Sequence, residues 1–360
     1  MKSNFLIGIL VTISNLILSE PEPLDLELLE AGVDYGVDAL KDYPQIPFNP
    51  PKNNNNSIQY MLYTDQRRNV PCYIEPYTDQ FDKCSFNPNH ETKFLIHGYV
   101  AILAPDDRFN DIKKVLLDYG SYNVIIVNWT MYNNFPFVLA YRNARIVGIK
   151  VAEFMKFTVN HARASPETFH CIGHSLGSHV CGQAGRLTSN LGRITGLDPG
   201  GISKFLRLKP NIRLRYKDAN YVDVIHTSDI FSGTGLGYLD ALGHMDFYPN
   251  GGVEQPHCQK GRRYQLNTVK NLTIQTSIDE GLCNHYIVLS YFKYSIMNNC
   301  RFIATKCGNF LSYKQNQCSP FDHPITAEMG FRSKKMTGLP PKSKFFLETL
   351  EFPPYCKGEK

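Results

Sequence analysis

Ser175 stands between two glycines in Gly173-His174-Ser175-Leu176-Gly177, at the centre of the run Phe169 to Gly182. The apolar residues in front, Thr168 to Ile172, read as a buried strand. Behind it, Ser178 to Leu187 is small, apolar and free of proline, which suits a helix. A serine at the tip of a sharp strand-to-helix turn presents its hydroxyl for nucleophilic attack. A side chain at 173 or 177 would crowd such a turn, which accounts for the glycines. The chemistry is acyl transfer: the hydroxyl needs a base to take its proton, and the base needs a carboxylate to orient it.

In chains built this way the acid and then the base follow the nucleophile. Asp198, in Gly196-Leu197-Asp198-Pro199-Gly200, comes directly after an apolar strand. That puts it at the carboxyl edge of a sheet, where sites gather. Asp223, mid-strand in YVDVIH, and Asp246, in GHMDFYPNGG, rank behind it. The bases that follow are His226, His244, His257, His285 and His323. His226 ends a strand and reads as a packing residue. His285, before the apolar helical run Tyr286 to Ile296, and His257 both remain open on residue type and position alone. Two backbone N–H groups must receive the oxyanion. Leu176, next to the nucleophile, supplies one. The strand end Phe94-Leu95-Ile96-His97-Gly98-Tyr99 offers the second at Tyr99, with His97 holding that loop.

The elements that must position these residues begin at Ile58. Gln59 to Thr64 and Lys93 to His97 read as strands, and Asp106 to Tyr119 as a helix with acidic residues in its first turn. Asn123 to Trp129 is a near-continuous apolar strand of the kind buried on both faces. Phe137 to Arg163 reads as a long helix with Val147, Val151 and Phe154 on one face. Arg193 to Leu197 and Tyr221 to His226 read as further strands. The alternation predicts an α/β fold, a mostly parallel sheet with helices on both sides, in one domain from about 58 to 360.

Met1 to Ser19 has the charge and apolar run of a secretory signal peptide, too short for a membrane span. Glu20 to Ser57 is acidic and Pro-rich and reads as a leader or propeptide. Ten cysteines fit an exported, oxidised protein. Cys72 with Cys84, Cys300 with Cys356 and Cys307 with Cys318 are plausible pairs, whereas Cys171 and Cys181 read as ordinary buried thiols. Sequons fall at Asn55, Asn128 and Asn271; Asn128 ends an apolar strand and is not expected to be modified. Residues 1–57 carry three lysines against eight acids, net −5, leaving 35 basic and 25 acidic residues, net +10, in the rest. A basic body is drawn toward anionic lipid surfaces. Nucleic acid is not an expected partner, since no binding motif accompanies the charge. Arg213, Arg215 and Lys217 alternate and would share one face of a strand, read as a solvated edge.

FLIHGY, GHSLGSHVCGQAG, ITGLDPGG, YVDVIHT, GHMDFYPNGG, QPHC and CNH occur in this order between Ile58 and Cys356. With them the chain resembles the pancreatic lipase family, particularly its single-domain insect members, which include secreted lipases and the venom phospholipases A1 of wasps and hornets. The resemblance implies an α/β-hydrolase fold and a triad of Ser175, Asp198 and His285. His285 matches the family's Cys-x-His. It also implies Tyr99 and Leu176 as oxyanion donors, with Tyr99 in place of the usual Phe or Trp. A disulfide between Cys258 and Cys283 would close the 24 residues between them into a lid. Tyr264, Leu266, Val269, Leu272 and Ile274 would form its apolar inner face, and Lys260, Arg262, Arg263 and Lys270 would meet lipid headgroups.

The substrate implied is a glycerolipid at a membrane or emulsion surface. A lid of this length goes with triacylglycerol hydrolysis in the family, while the Pro-Tyr-Cys356 ending and the 75 residues after His285 resemble the phospholipase A1 group. Those 75 residues are too few for the β-sandwich domain with which pancreatic lipases bind lipid and a protein cofactor. Neither that domain nor an obligate protein cofactor is therefore expected. Some members hold calcium with acidic residues where this chain has Pro210 and Arg215, so no metal or other cofactor is expected. The alternative is a non-catalytic lipid-binding or yolk-type protein. Such members lack the nucleophile that this chain retains.

Overall fold

The structure, a computed structural model, describes residues 58–75, 80–99, 108–133, 137–201, 212–229, 236–259, 274–297, 300–320 and 323–357. The expected signal peptide and leader, the sequons at Asn55 and Asn271, Pro210 and lid residues 260–273 lie outside them. The described chain opens with the antiparallel pair β1 (Gln59–Tyr63) and β2 (Cys72–Ile74). β3 (Thr92–Ile96), α1 (Arg108–Tyr119), β4 (Asn123–Asn128), α2 (Phe137–Ala162) and β5 (Phe169–His174) follow. After the turn at Ser175 come α3 (Leu176–Leu187), β6 (Arg193–Leu197), β7 (Tyr221–Ile225), β8 (Met245–Pro249) and α4 (Ile274–Ile296). The chain continues through β9 (Ile303–Lys306), α5 (Phe310–Lys314), β10 (Thr326–Glu328) and β11 (Ser343–Leu347).

The strands form one sheet in the order β10-β9-β11-β8-β7-β6-β5-β3-β4-β1-β2. From β11 to β4 every neighbouring pair is parallel, and the antiparallel pairings are confined to the two margins. Parallel strands are buried on both faces, and the period-2 alternation of their side chains feeds two separate cores. Phe94, Ile96, Ile125 and Val127 point to the face covered by α2 and α3. Leu95, Val124, Ile126 and Ile172 point to the face covered by α1 and α4. In α2 the expected face is the buried one: Val147, Val151 and Phe154 are fully enclosed. Each such side chain contributes about 1.5–3 kcal/mol by leaving water, and the Phe154 ring stacks on Tyr60 at 3.7 Å.

Because the central strands run the same way, their carboxyl ends share one edge. Register aligns His174 with Leu197, and Leu197 with Ile225. Ser175, Asp198 and His226 therefore leave three adjacent strands at one level. Backbone bonds carry this alignment past the strand ends: Ser175 N–H donates to Leu197 O at 3.0 Å and Asp198 N–H to Ile225 O at 2.8 Å.

Four expectations change. β5 starts one residue later than expected and runs on to His174, since Thr168 closes a short 3-10 turn. β8 and β11 are central strands that the sequence did not suggest, β8 because Asp246 and Pro249 interrupt its apolar pattern. α4 starts at Ile274, twelve residues before the expected run, so His285 lies within the helix and not ahead of it. Cys171 and Cys181 are not separate thiols: they are disulfide-bonded, with Cα atoms 5.7 Å apart. The turn at Ser175 folds α3 back along β5, which brings the two positions within the 4.4–6.8 Å that a disulfide spans. The other pairs are Cys72–Cys84, Cys258–Cys283, Cys300–Cys356 and Cys307–Cys318, leaving no free cysteine.

Removing this bond tests whether it is more than packing. Replacing both Cys171 and Cys181 by Ala should lower the unfolding free energy in urea by about 3 kcal/mol, the loop-closure contribution of a bond with this short spacing. Thiol titration of the denatured, unreduced wild-type protein should find no free thiol.

Candidate active site

Ser175 occupies φ 55°, ψ −121°, a conformation that costs about 1–3 kcal/mol in a non-glycine residue. Its surroundings impose that geometry. A Cβ at Gly173 would lie 2.3 Å from Gly177 O, and one at Gly177 would lie 2.2 Å from Ile96 O. Ser178 clamps the turn from inside, its hydroxyl donating to Gly173 O at 2.7 Å and its N–H to Ser175 O at 3.1 Å.

Asp198 also has a positive φ, 43°, and its side chain is fully buried. Its Oδ1 accepts from Thr227 N–H at 2.8 Å and from Ser228 N–H at 3.1 Å. Its Oδ2 accepts from the Ser228 hydroxyl at 2.5 Å and from His285 Nδ1–H at 2.6 Å. Four donors surround the carboxylate, and one of them is the imidazole that it would orient. Of the two histidines left open, His285 is the one in contact with Asp198. His257 instead donates through Nδ1 to Glu351 O at 3.0 Å, with Tyr355 against its ring.

The other rivals are occupied elsewhere. His226 spends Nε2 on Asp246 Oδ1, 2.9 Å away, and Nδ1 on Tyr238 O. Asp246 also accepts from Leu242 N–H and Gly243 N–H. Asp223 is held by Arg193 at 2.8 Å and by the Thr195 hydroxyl at 2.9 Å. His244 Nδ1 accepts from Val222 N–H at 3.0 Å, and burial pushes its pKa down to about 4. His323 is exposed. No hydrogen bond joins Ser175 Oγ to His285 Nε2 among the described residues; catalytic bonds are often loose before substrate is bound.

Leu176 opens α3, where the amides of the first turn have no intrahelical acceptor. The Gly98 backbone lies directly against the nucleophile, since a Cβ there would fall 2.7 Å from Ser175 Cβ. Tyr99 is the next residue, and burial raises its hydroxyl pKa to about 12. His97 holds this loop. Its Nδ1 donates to Gly98 O at 3.0 Å, its Nε2 accepts from Trp129 N–H at 3.2 Å, and its own carbonyl accepts from the Trp129 indole at 2.9 Å. Burial lowers the His97 pKa to about 4, so the ring stays neutral.

Three supporting residues escaped the sequence reading. Ser228 donates to Asp198 and also receives Leu236 N–H and Gly237 N–H at 3.2 and 3.1 Å. His179, on α3, bonds Gly200 O at 2.9 Å through Nε2 and so anchors the loop that follows Asp198. Gln255 donates to Thr227 O and Pro249 O, while its N–H reaches Asn284 Oδ1 at 2.8 Å. It ties the segment before Cys258 to the residue beside His285. Their partners lie in loops far along the chain.

Arg213, Arg215 and Lys217 do not share a strand face, because 216–218 form a 3-10 turn. Arg215 and Arg186 both bind the buried Asp218 carboxylate, and Arg213 lies over the Tyr238 ring. Asn128 binds Gln59 through its amide at 2.9 Å. Among the described residues no group of three or more His, Cys, Asp or Glu side chains could hold a metal ion, and no helix is long and apolar enough to cross a membrane.

Comparison with known proteins points to one family. The family model "Lipase" matches residues 39–355, beginning inside the segment read as a leader. The pancreatic triacylglycerol lipase of Myocastor coypus is 33% identical over 314 residues, covering 84% of this chain and 66% of its own length. The human pancreatic triacylglycerol lipase is likewise 33% identical, with 65% of its length covered. The human "inactive pancreatic lipase-related protein 1" is 32% identical over 324 residues, 88% of this chain and 68% of that one. The chain thus spans about two thirds of the length of these relatives. The solved Pyrococcus furiosus esterase Pf2001 overlaps more weakly, with a TM-score of 0.26 at 15% identity over 38% of this chain and 62% of that chain. The fold is that of an α/β-hydrolase, and the chain belongs to the pancreatic lipase family.

Proposed function

We propose that the protein is a secreted serine hydrolase that cleaves carboxylic ester bonds of glycerolipids, as a triacylglycerol lipase, a phospholipase A1 or both. One observation carries the reading. His285 Nδ1 lies 2.6 Å from a fully buried Asp198 carboxylate, at the sheet edge where Ser175 emerges. His285 Nε2 takes the Ser175 proton as Oγ attacks the ester carbonyl. The Leu176 and Tyr99 N–H groups receive the oxyanion, and Asp198 stabilises the imidazolium. His285 then returns the proton to the departing alcohol. Water repeats the sequence on the acyl-enzyme and releases the fatty acid.

Secretion accords with the apolar N-terminal run and with ten cysteines in five disulfides. The partner is a lipid surface, and the catalytic domain takes in the described residues from about residue 58 onward. Relatives whose names specify triacylglycerol favour that substrate, as does the Cys258–Cys283 spacing of 25. The non-catalytic reading is kept in view by an inactive relative of similar identity.

Release of fatty acid from triolein emulsion and from phosphatidylcholine vesicles, measured separately, tests the assignment. Wild type should be active on at least one, with cleavage confined to sn-1 if phospholipid is attacked. Ser175→Ala should abolish it. Equal rates in wild type and Ser175→Ala on every ester would leave only the non-catalytic reading.

Asp198→Asn should lower kcat by about 10⁴-fold with the fold intact, because an amide cannot both accept from four donors and hold the working tautomer of His285. Full activity in this variant would remove Asp198 from the mechanism.

The protein should also be acid-labile. Burial holds both His97 and His179 down to about pKa 4, against about 6.5 when unfolded. The unfolded chain therefore binds more protons as pH falls below about 6.5. Stability present above that pH is lost progressively toward pH 4, on the order of 3 kcal/mol for each ring. Urea denaturation at pH 7, 5.5 and 4.5 should show midpoints that fall steadily; a constant midpoint would contradict the neutral burial of these rings.

A further inference from the structure

His174 takes no proton in this mechanism, yet it is the residue through which the nucleophile turn grips the base. It is the last residue of β5, bonded directly to Ser175. Its Nε2 lies 3.0 Å from the backbone carbonyl oxygen of His285, 111 residues away. A carbonyl only accepts, so Nε2 carries the proton. The two imidazoles face each other, centroids 4.6 Å apart at 42°, and the Tyr286 ring adds a second contact at 5.1 Å. Arg108, on α1, secures the far side. Its guanidinium donates to Tyr286 O at 2.9 Å and lies over the Tyr286 ring at 5.4 Å.

This link fills a gap in the site. Asp198 fixes His285 at Nδ1, but that bond does not register the base against Ser175. The nucleophile and the base stand on separate elements, α4 and the β5–α3 turn, with no hydrogen bond between their side chains among the described residues. We infer that His174 is a positioning residue for ester hydrolysis, tying the His285 backbone to the nucleophile turn so that base and hydroxyl meet at a set separation. The inference rests on the triad reading.

The ring's charge suits the task. The groups that face it are His285 and Tyr286 from α4, Arg108 from α1 and His97 from the end of β3. Burial, followed by the influence of His285 when protonated and of the Arg108 guanidinium, holds its pKa well below that of a free imidazole. It remains neutral while His285 becomes an imidazolium beside it, so no like charge opposes proton transfer.

Two substitutions separate the hydrogen bond from the packing. His174→Gln keeps an N–H near the Nε2 position but has no ring. His174→Phe keeps a flat ring and has no donor. The readout is the rate at which a fluorophosphonate phosphonylates Ser175, which requires the base but no particular lipid. His174→Phe should react about 10²-fold more slowly than wild type, the scale set by misplacing a reacting group by 1 Å. His174→Gln should recover most of that rate. The downfield proton resonance of the His285–Asp198 bond should persist in the Gln variant and broaden in the Phe variant. A Phe variant as fast as the Gln variant, or wild-type rates in both, overturns the inference. So does the failure of both to fold by near-UV circular dichroism, which would make His174 a core residue only. A wild-type protein that is not labelled at all sinks the triad reading instead.

Discussion

A single buried negative charge constrains most of this molecule. Removing a carboxylate from water costs several kcal/mol even after the protein relaxes, and Asp198 is fully enclosed. The chain offsets that cost with four hydrogen bonds drawn from two separate elements. Thr227 and Ser228 donate from the loop after β7, and His285 donates from α4. Gly237 closes the remaining side: a Cβ there would lie 2.5 Å from Asp198 Oδ1. Any drift of β6 against β7, or of α4 against the sheet, would leave a charge without partners. Asp198 therefore acts as a lock on the architecture.

The parallel sheet is what lets one edge serve all these demands. Adjacent strands end at one level, so His97, Ser175, Asp198 and His226 leave the sheet side by side, though 129 positions separate the first from the last. The turns they enter differ in strain. Ser175 and Asp198 both take positive φ, and each is held by an N–H bond to the neighbouring strand's last carbonyl. Local strain of this kind persists because the surrounding ladder over-determines it. Two disulfides reinforce the same region from opposite ends. Cys171–Cys181 joins the arms of the turn at Ser175, and Cys258–Cys283 joins the segment after β8 to the helix of His285.

What could be read beforehand followed from local chemistry. The glycines around Ser175 and the apolar strand before Asp198 declare themselves, because turn sterics and strand ends act over a few residues. The six expected strands are all present for the same reason. The partner of Asp198 was different: His257 and His285 have equal chemistry, and only the packing of α4 turns one of them toward Asp198. Ser228 was invisible because its partner is 30 residues away. Cys171 and Cys181 were misjudged because spacing along the chain does not reveal that α3 doubles back. β8 was hidden by Asp246, whose charge looks foreign to a buried strand until His226 and two backbone amides are found around it.

The pairs His285–Asp198 and His226–Asp246 show why a buried histidine beside a carboxylate is not enough to identify a base. Their separations are close, 2.6 and 2.9 Å. In His226, however, both ring nitrogens are engaged, one by Asp246 and the other by Tyr238 O, so neither is open to a reacting group. The Tyr248 ring stacked at 4.5 Å covers its face. In His285 the carboxylate engages Nδ1 alone, and no described residue hydrogen-bonds Nε2. Its backbone carbonyl, not its second nitrogen, receives the grip of His174. Anchoring His285 through its main chain holds the residue without engaging its second ring nitrogen. Among the described residues these two His–Asp pairs differ in that the imidazole of His285 keeps one nitrogen without a hydrogen-bond partner and that of His226 does not.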